Sequence, residues 1–509
     1  MKMYINIMSL FLLCALTTLP LQSKTLTQDI DSLIDETLPQ AHVGVMIQDP
    51  ETKRIIYQRN ASKSFSPASN IKLFTAAAAL YQLSPQYHYV TSLLQKDNHI
   101  YIQFNGSPSL TTEQLKQLLT QLNTHGIHEI KGNLILDTTR FQPPYYAPGT
   151  TYDDLGWYYE APSTSVNLNE NTVQYEFISA NQLNKPIQIK CLSPEKAINL
   201  INKVITVNKE DEKEHCSLNI ETNMNNTVKL YGCFAKNDKP VTMKLAIPNP
   251  VLYTKQTITQ LLKEDNIQLK GQIVEGKTPD NAQKIAQIES EELSKLITHM
   301  LQESDNLYAD SLTKLLAYTL TGEGTYKQGA FAIKQILAKH THLDIKQLEL
   351  ADGTGDRYNY TTPEQIIQLL TDVYHSPNDY PIFVEALPHM GISGSLKDRM
   401  KKTPLENKII AKTGTMHDIS SLSGYMTLPH QKHLVFSIMI NNVTHGIATA
   451  KTLEDKILLT VINSFKEKIN SESKLSTTAI ALKRAVCAQK IRTVTVRERK
   501  ILLGYLTGV

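Results

Sequence analysis

Apolar residues recur at helical spacing over 26–38 and then switch to a short β-like run at 42–48. The turn Asp49-Pro50-Glu51-Thr52 leads to a second predicted strand at 54–58. After SFSPAS the spacing becomes helical again in NIKLFTAAAALYQL, whose alanine run has high helix propensity. A strand pair, a turn and a helix start therefore converge on Ser69. From about 97 to 285 the pattern breaks into short alternating segments with many turn residues, FQPPYYAPGTTYDDLGWYYEAPS among them. Between about 176 and 242 the alternation is more polar, which predicts a smaller module nested inside. Helical periodicity returns in EELSKLITHMLQE and LYADSLTKLLAYTL, on either side of Ser304-Asp305-Asn306. Strands follow at 408–415, 422–427 and 433–441, then a helix over about 448–465. The economical architecture is α+β: a sheet covered by terminal helices (24–96 with 286–465), split by a long and mostly β insertion at 97–285.

Charge narrows the range of partners. Lys and Arg number 52 against 49 acidic residues in 509, so no chain-wide cationic field points to nucleic acid. Residues 471–509 hold eight Lys/Arg and two acids, leaving 44 against 47 elsewhere. The basic character therefore belongs to the tail, 466–509, read as a flexible extension that offers peripheral contact with a membrane surface. Within it, 491–496 alternates enough for a strand. At the other end, Lys2 followed by the uncharged, mostly apolar run 5–21 reads as a secretory signal over 1–23, with Ser23 a small residue for cleavage. Cys14 follows Phe11, Leu12 and Leu13 and lacks the small residue that a lipid-anchor site wants before its cysteine.

A secreted chain changes how cysteine is read. Cys191, Cys216 and Cys233 cluster without a C-x-x-C spacing, and an oxidising compartment favours a disulfide over zinc. CSLNIET and NTVKLYGCF look like adjacent strands joined at Asn223–Asn226, which selects Cys216 with Cys233; three buried thiols are the alternative.

Three short patterns carry chemistry. In Ser69-Asn70-Ile71-Lys72, three residues on a helix is nearly one turn, so the hydroxyl and the amine share a face. Serine needs an adjacent base, and lysine serves only when burial or a neighbouring cation lowers its pKa. S-x-x-K also occurs at Ser193/Lys196, Ser311/Lys314 and Ser471/Lys474. Only Ser69 has a Pro-Ala lead-in after a strand pair and an Ala-rich helix behind it; the ordinary reading is a helix cap with an exposed lysine. Ser-Asp-Asn occurs once, at 304–306, where a hydroxyl and an amide two residues apart can pass a proton and hold a carbonyl. All three residue types also favour helix caps. Lys412-Thr413-Gly414-Thr415 lies on a predicted strand, where a glycine needs a reason; close approach of a ligand backbone is one. An edge strand there could pair with an extended peptide while Lys412 meets its carboxylate, and an ordinary surface strand is the alternative.

In that order, the three motifs resemble those of the serine penicillin-interacting enzymes. The insertion of nearly 200 residues after the first motif resembles the low-molecular-mass class C penicillin-binding proteins, the D-alanyl-D-alanine carboxypeptidases/endopeptidases. ASNIKLFTAAAAL, APSTSVNLNEN, ADGTGDRYN, LPHMGISGSLKDRM and AKTGTMHDISSLSGY look like blocks of that family, over about residues 28–465. The resemblance implies a penicillin-binding/β-lactamase-like serine hydrolase domain, an antiparallel sheet with flanking helices, acting in the periplasm on peptidoglycan stem peptides. It implies no cofactor and no metal, with β-lactams as covalent inhibitors. It also implies Ser69 as nucleophile, Lys72 as base, and the backbone N–H groups of Ser69 and Thr415 as oxyanion hole. Ser304 and Lys412 would relay the proton, Asn306 would hold the acyl chain, and Thr413, Gly414 and Lys412 would line the carboxylate site. Arg357, Asp154, Tyr159 and His417 would contact substrate. ADGTGDRYN is short relative to the family spacing before its Arg.

Other readings fare worse. A secreted β-lactamase would share the motifs but is usually much shorter, and a non-catalytic peptidoglycan-binding scaffold would not need all three intact. His125/His128 and His430/His433 lack a companion carboxylate set for metal hydrolysis. GQIVEGKT at 271–278 fits the P-loop pattern, but its context is wrong: 272–274 itself reads as a strand and Pro279-Asp280 follows where a helix should open. Trp157 and its neighbouring tyrosines read as core or groove lining.

Overall fold

The computed structural model describes residues 25–469, except 194–196 and 445. The signal at 1–23, the tail from 470 onward, and the pairs Ser193/Lys196 and Ser471/Lys474 as pairs lie outside the described residues. Among the described residues no helix is long and apolar enough to cross a membrane. These residues fall into two compact units. One combines the capped helix Leu26–Thr37 with residues 455–469; the other is Gln40–Glu454 and contains all of the chemistry.

The larger unit is built on a five-stranded sheet. Its strands are β1 (His42–Gln48), β2 (Ile55–Arg59), β3 (Ile409–Met416), β4 (Ile419–Thr427) and β5 (His433–Asn441), in spatial order β3-β4-β5-β1-β2. All pairs are antiparallel, with Thr415 opposite Ser420 and His42 opposite Asn441. The chain thus joins its two sequence-distant halves side by side. Six helices pack with this sheet around one core: α1 (Ile71–Gln82), α2 (Leu293–Gln302), α3 (Asn306–Thr321), α4 (Tyr326–His340), α5 (Pro363–Tyr374) and α6 (Tyr380–Ala386). Every residue from Ile71 to Leu80 is buried, and small alanines at 76–79 let neighbours approach α1 on all sides.

The insertion has a separate hydrophobic core, including Leu93, Ile102, Leu119, Leu136, Tyr175 and Leu230. Its boundaries differ from the expected 97 and 285. The strand Val90–Lys96 hairpins with His99–Gln103 and pairs on its other side with Gln283–Glu289, so the insertion's sheet already begins at Val90 and ends at Glu289. Asp97-Asn98, read as a border, is the hairpin's tight turn, with Asp97 at φ 53°. The region predicted as a nested module contains strands Asn199–Val207, Leu218–Thr222 and Thr227–Ala235 in one sheet, but it shares the insertion's core through Val204, Ile220 and Val228. A disulfide joins Cys216 to Cys233 across its hairpin with Cα atoms 5.9 Å apart, and Cys191 is a free, exposed thiol. The P-loop-like segment is strand Ile273–Glu275 beside Leu134–Asp137, and the Thr278 N–H donates to the Asp137 carboxylate instead of opening a helix.

Candidate active site

The three motifs meet at one end of a groove of about 880 Å³, lined there by Ser69, Ser304, Asn306 and Thr415. Ser69 sits in the single 3₁₀ turn that feeds α1, held against β4 by two serines: Ser421 Oγ donates to the Pro67 carbonyl at 2.6 Å, and Asn70 Nδ2 donates to Ser423 Oγ at 2.9 Å. Ala68, just before it, has φ 49°, a left-handed conformation that a non-glycine residue adopts only when its surroundings enforce it. Gly414 and Gly355 make that possible. A Cβ on Gly414 would stand 2.6 Å from the Pro67 carbonyl oxygen, and one on Gly355 1.9 Å from that of Ala68. The glycine of Lys-Thr-Gly is therefore required by this chain's own nucleophile loop, a reason within the chain that the ligand-approach reading had not included.

Lys72 is fully buried one turn after Ser69, and its Nζ lies 3.0 Å from Ser69 Oγ, 2.7 Å from Asn306 Oδ1 and 3.0 Å from the Thr354 carbonyl. Burial lowers its pKa to about 8, against the pull of the Asp310, Asp305, Asp352 and Glu160 carboxylates. Thr354 belongs to ADGTGDRYN, a loop folded round Asp352, whose Oδ1 accepts from the N–H groups of Thr354 and Gly355. Ser304 has φ 60° and ends α2, Asp305 caps α3 by accepting from the Tyr308 N–H, and Asn306 opens that helix. The cap reading thus holds for Asp305, while Ser304 and Asn306 contact Lys412 and Lys72. Asn306 Nδ2 also donates to the Tyr159 carbonyl, tying the insertion to the site.

On the opposite wall Lys412 Nζ donates to Ser304 Oγ at 2.8 Å, and burial together with the Lys72 charge holds its pKa well below the usual lysine range. β3 is the terminal strand of the sheet. Its first residues are covered, since the Ala411 N–H donates to Pro388 O and Met390 N–H to Ile409 O, and the Lys-Thr-Gly-Thr run continues beyond that cover. Thr413 Oγ1 lies 2.8 Å from Ser395 Oγ, a neighbour the sequence did not single out.

The remaining candidates are less united. Tyr159 lines the groove and donates to Asp154 Oδ1 at 3.0 Å; Thr151 also donates to Asp154, and Arg357 Nη2 is 3.8 Å from it. Asp154 and Arg357, read as separate substrate contacts, are each other's neighbours and lie outside the groove lining, as does His417, exposed in the β3–β4 turn. Sequence reasoning also missed Glu160, whose carboxyl burial pushes up to about 7, and the pair Asp310 and Lys314. Lys314 comes from one of the decoy S-x-x-K patterns; its Nζ donates to the carbonyls of Pro144 and Ser163, both at 2.9 Å. Among the described residues, those with spacing suited to a metal are Glu170, His299 and Asp305, further along the groove, where Lys244 Nζ already stands 3.0 Å from Glu170.

A serine beside a buried, weakly basic lysine, with a second lysine–serine pair across the groove, defines a penicillin-interacting serine acyl-transfer enzyme. The chain matches the D-Ala-D-Ala carboxypeptidase 3 (S13) family over residues 26–462, and it belongs to that family, that of the low-molecular-mass class C penicillin-binding proteins. It is a serine-type D-Ala-D-Ala carboxypeptidase. D-alanyl-D-alanine carboxypeptidase DacB of Haemophilus influenzae is 29% identical over 87% of this chain and 93% of its own length. A D-alanyl-D-alanine carboxypeptidase of an Actinomadura strain is 27% identical over 83% and 82%. The crystal structure of penicillin binding protein 4 (dacB) from H. influenzae superposes with a TM-score of 0.78 at 26% identity, covering 85% of this chain and 99% of that one. The same protein complexed with a β-lactam gives 0.71 at 25% identity, over 86% and 99%.

Proposed function

We propose that Ser69 attacks the carbonyl between the last two residues of a peptidoglycan stem, with Lys72 as its base, and that β-lactams acylate the same hydroxyl. The observation that carries this is the threefold environment of Lys72. A neutral amine has two hydrogens and one lone pair; Asn306 Oδ1 and Thr354 O take the hydrogens, which leaves the lone pair for the Ser69 hydroxyl. The Ser69 proton passes to Lys72 as the Oγ–C bond forms. The C–N bond then breaks, and the proton held on Lys72 reaches the leaving nitrogen through Ser304 and Lys412, which returns Lys72 to the neutral amine. Water then attacks the ester and gives a proton to Lys72, and that proton passes to Ser69 Oγ as the acyl–oxygen bond breaks. The backbone N–H groups of Ser69 and Thr415 meet the oxyanion, Asn306 holds the acyl chain, and Thr413, Lys412 and Gly414 form the seat of the terminal carboxylate. Asp154, with Tyr159 and Arg357 beside it and His417 across the strand turn, is the candidate contact for a diamino acid in the stem.

The same acyl transfer releases D-alanine when the leaving amine is alanine, and opens a cross-link when it belongs to a diamino acid. A peptidoglycan substrate supports a working place in the periplasm or outside the cell, and the signal-like run at 5–21 supports the periplasm. The test is D-alanine release from a pentapeptide stem: Ser69→Ala abolishes it together with penicillin acylation, and Lys72→Ala slows acylation at least about a hundredfold. Retained release in Ser69→Ala overturns the assignment.

A further inference from the structure

The seat of the terminal carboxylate depends on hydroxyl groups more than its lysine suggests. Lys412 Nζ lies 2.8 Å from Ser304 Oγ and 2.8 Å from the Thr413 carbonyl, and burial together with the Lys72 charge disfavours its own charge. A neutral amine has two hydrogens, and both are then committed within the chain. Recognition of an anion falls to the donors that remain, among them the half-buried Thr413 hydroxyl on the terminal strand of the sheet.

A hydroxyl carries one hydrogen and two lone pairs, so the direction of that hydrogen sets the sign of what an arriving carboxylate meets. Pointed outward it is a charge-assisted donor; pointed into the chain it leaves lone pairs facing the anion. The neighbour that decides this for Thr413 Oγ1 is Ser395 Oγ, at 2.8 Å. In the empty pair either hydroxyl can donate. Once Thr413 gives its hydrogen to a carboxylate, only Ser395 can supply the hydrogen between them, and the three groups form one chain in which each donor strengthens the next.

The loop that carries Ser395 is braced on two sides. Toward β3, the Ala411 N–H donates to Pro388 O and the Met390 N–H to Ile409 O; toward α2, Gln302 Nε2 donates to Leu387 O at 2.8 Å. Ser395 itself sits in the 3₁₀ turn Gly394–Leu396, whose Leu396 is fully buried. Gly394 has φ 55°, and a Cβ there would stand 2.9 Å from the Gln302 carbonyl oxygen, so the turn is pressed against the end of the helix that leads to Ser304. The Gly391 N–H closes the loop on Leu396 O. Contacts with β3 and with α2 thus fix where the Ser395 hydroxyl stands.

We propose that Ser395 is a positioning residue of the carboxylate seat: it donates to Thr413 Oγ1 and so holds the Thr413 hydrogen outward, toward the carboxylate of a stem peptide or of penicillin. The inference rests on the placing of that carboxylate at Thr413 in the reading above, and it names a residue that reading leaves out.

A double-mutant cycle tests it, read both as the second-order rate of penicillin acylation and as kcat/KM for D-alanine release from a pentapeptide stem. Ser395→Ala should lower both about fivefold, whereas Ser395→Thr, which keeps the hydroxyl, should stay within about twofold of wild type. Thr413→Val, which keeps the shape without the hydroxyl, should cost more. Ser395→Ala added to it should change the rates by less than about twofold, because the bond through which Ser395 acts is already gone. A disturbed loop would instead slow the enzyme in both backgrounds, so losses that multiply overturn the positioning role. A Ser395→Ala enzyme as fast as wild type beside a slow Thr413→Val also overturns it, with the carboxylate seat still standing. If Thr413→Val is itself as fast as wild type, the seat is misplaced and the inference falls with it.

Discussion

Lys72 shows what a short sequence pattern contains and what it omits. The spacing from Ser69 made the shared helix face legible, and the need for a lowered pKa followed from chemistry. The means of lowering it were not legible, because they come from residues hundreds of positions away: the Asn306 amide, the Thr354 carbonyl and the packing that removes water. The same holds for Ser421 and Ser423, ordinary in sequence, which fasten the nucleophile loop to β4. Gly414 was noticed for a sound reason, a glycine inside a strand, but the backbone that approaches it is Pro67-Ala68 of the same chain. The buried amine gives a pH prediction. Only neutral Lys72 can accept the Ser69 proton, and its pKa is pulled down to about 8. The second-order rate of penicillin acylation should therefore fall as pH drops below about 8, approaching tenfold per unit, and level off above it. A pH-independent rate, or a rise that continues to the ordinary lysine range near 10.4, contradicts the assigned base.

Among elements, those with strong periodicity were read within a residue or two: α1, β1, β5 and the helices on either side of Ser304. The insertion's edges were not, since a two-residue hairpin turn at Asp97-Asn98 looks locally like the end of a domain, and only the pairing of Val90–Lys96 with Gln283–Glu289 reveals otherwise. Nor did the sequence reveal how the insertion is fixed to the catalytic helices. Lys314 on α3, flagged only as a decoy motif, enters the insertion with a buried amine whose pKa burial lowers to about 7, and donates to the carbonyls of Pro144 and Ser163, with the Tyr326 ring 4.4 Å from it. Removing the amine leaves the buried carbonyls of Pro144 and Ser163 without their donor, at a cost of about 1 to 3 kcal/mol. Lys314→Met should therefore lower the unfolding free energy obtained by urea titration by that much while penicillin still labels the folded fraction. A change below about 1 kcal/mol contradicts the tether.

At the scale of the whole molecule, two hydrophobic cores divide the work. The sheet-and-helix core assembles nucleophile, base and relay from both halves of the chain, and the insertion's core holds a wall opposite them. Lys-Thr-Gly can stand against the nucleophile loop because β3, some 340 residues later in the chain, joins β1 through β4 and β5. That closure also separates Ser69 from the other serines with a lysine three residues on. Ser311 is buried in α3, where Asn167 Nδ2 donates to its Oγ, and Lys314 faces carbonyls instead of a hydroxyl.

The central claim is that Ser69 carries the acyl group, and peptide mapping by mass spectrometry after brief exposure to penicillin tests it most directly. The account predicts one modified peptide, containing Ser69 and heavier by the whole β-lactam, absent from Ser69→Ala and slow to form in Lys72→Ala. A label on the peptide containing Ser193, Ser304 or Ser311, or undiminished labelling of Ser69→Ala, would contradict it.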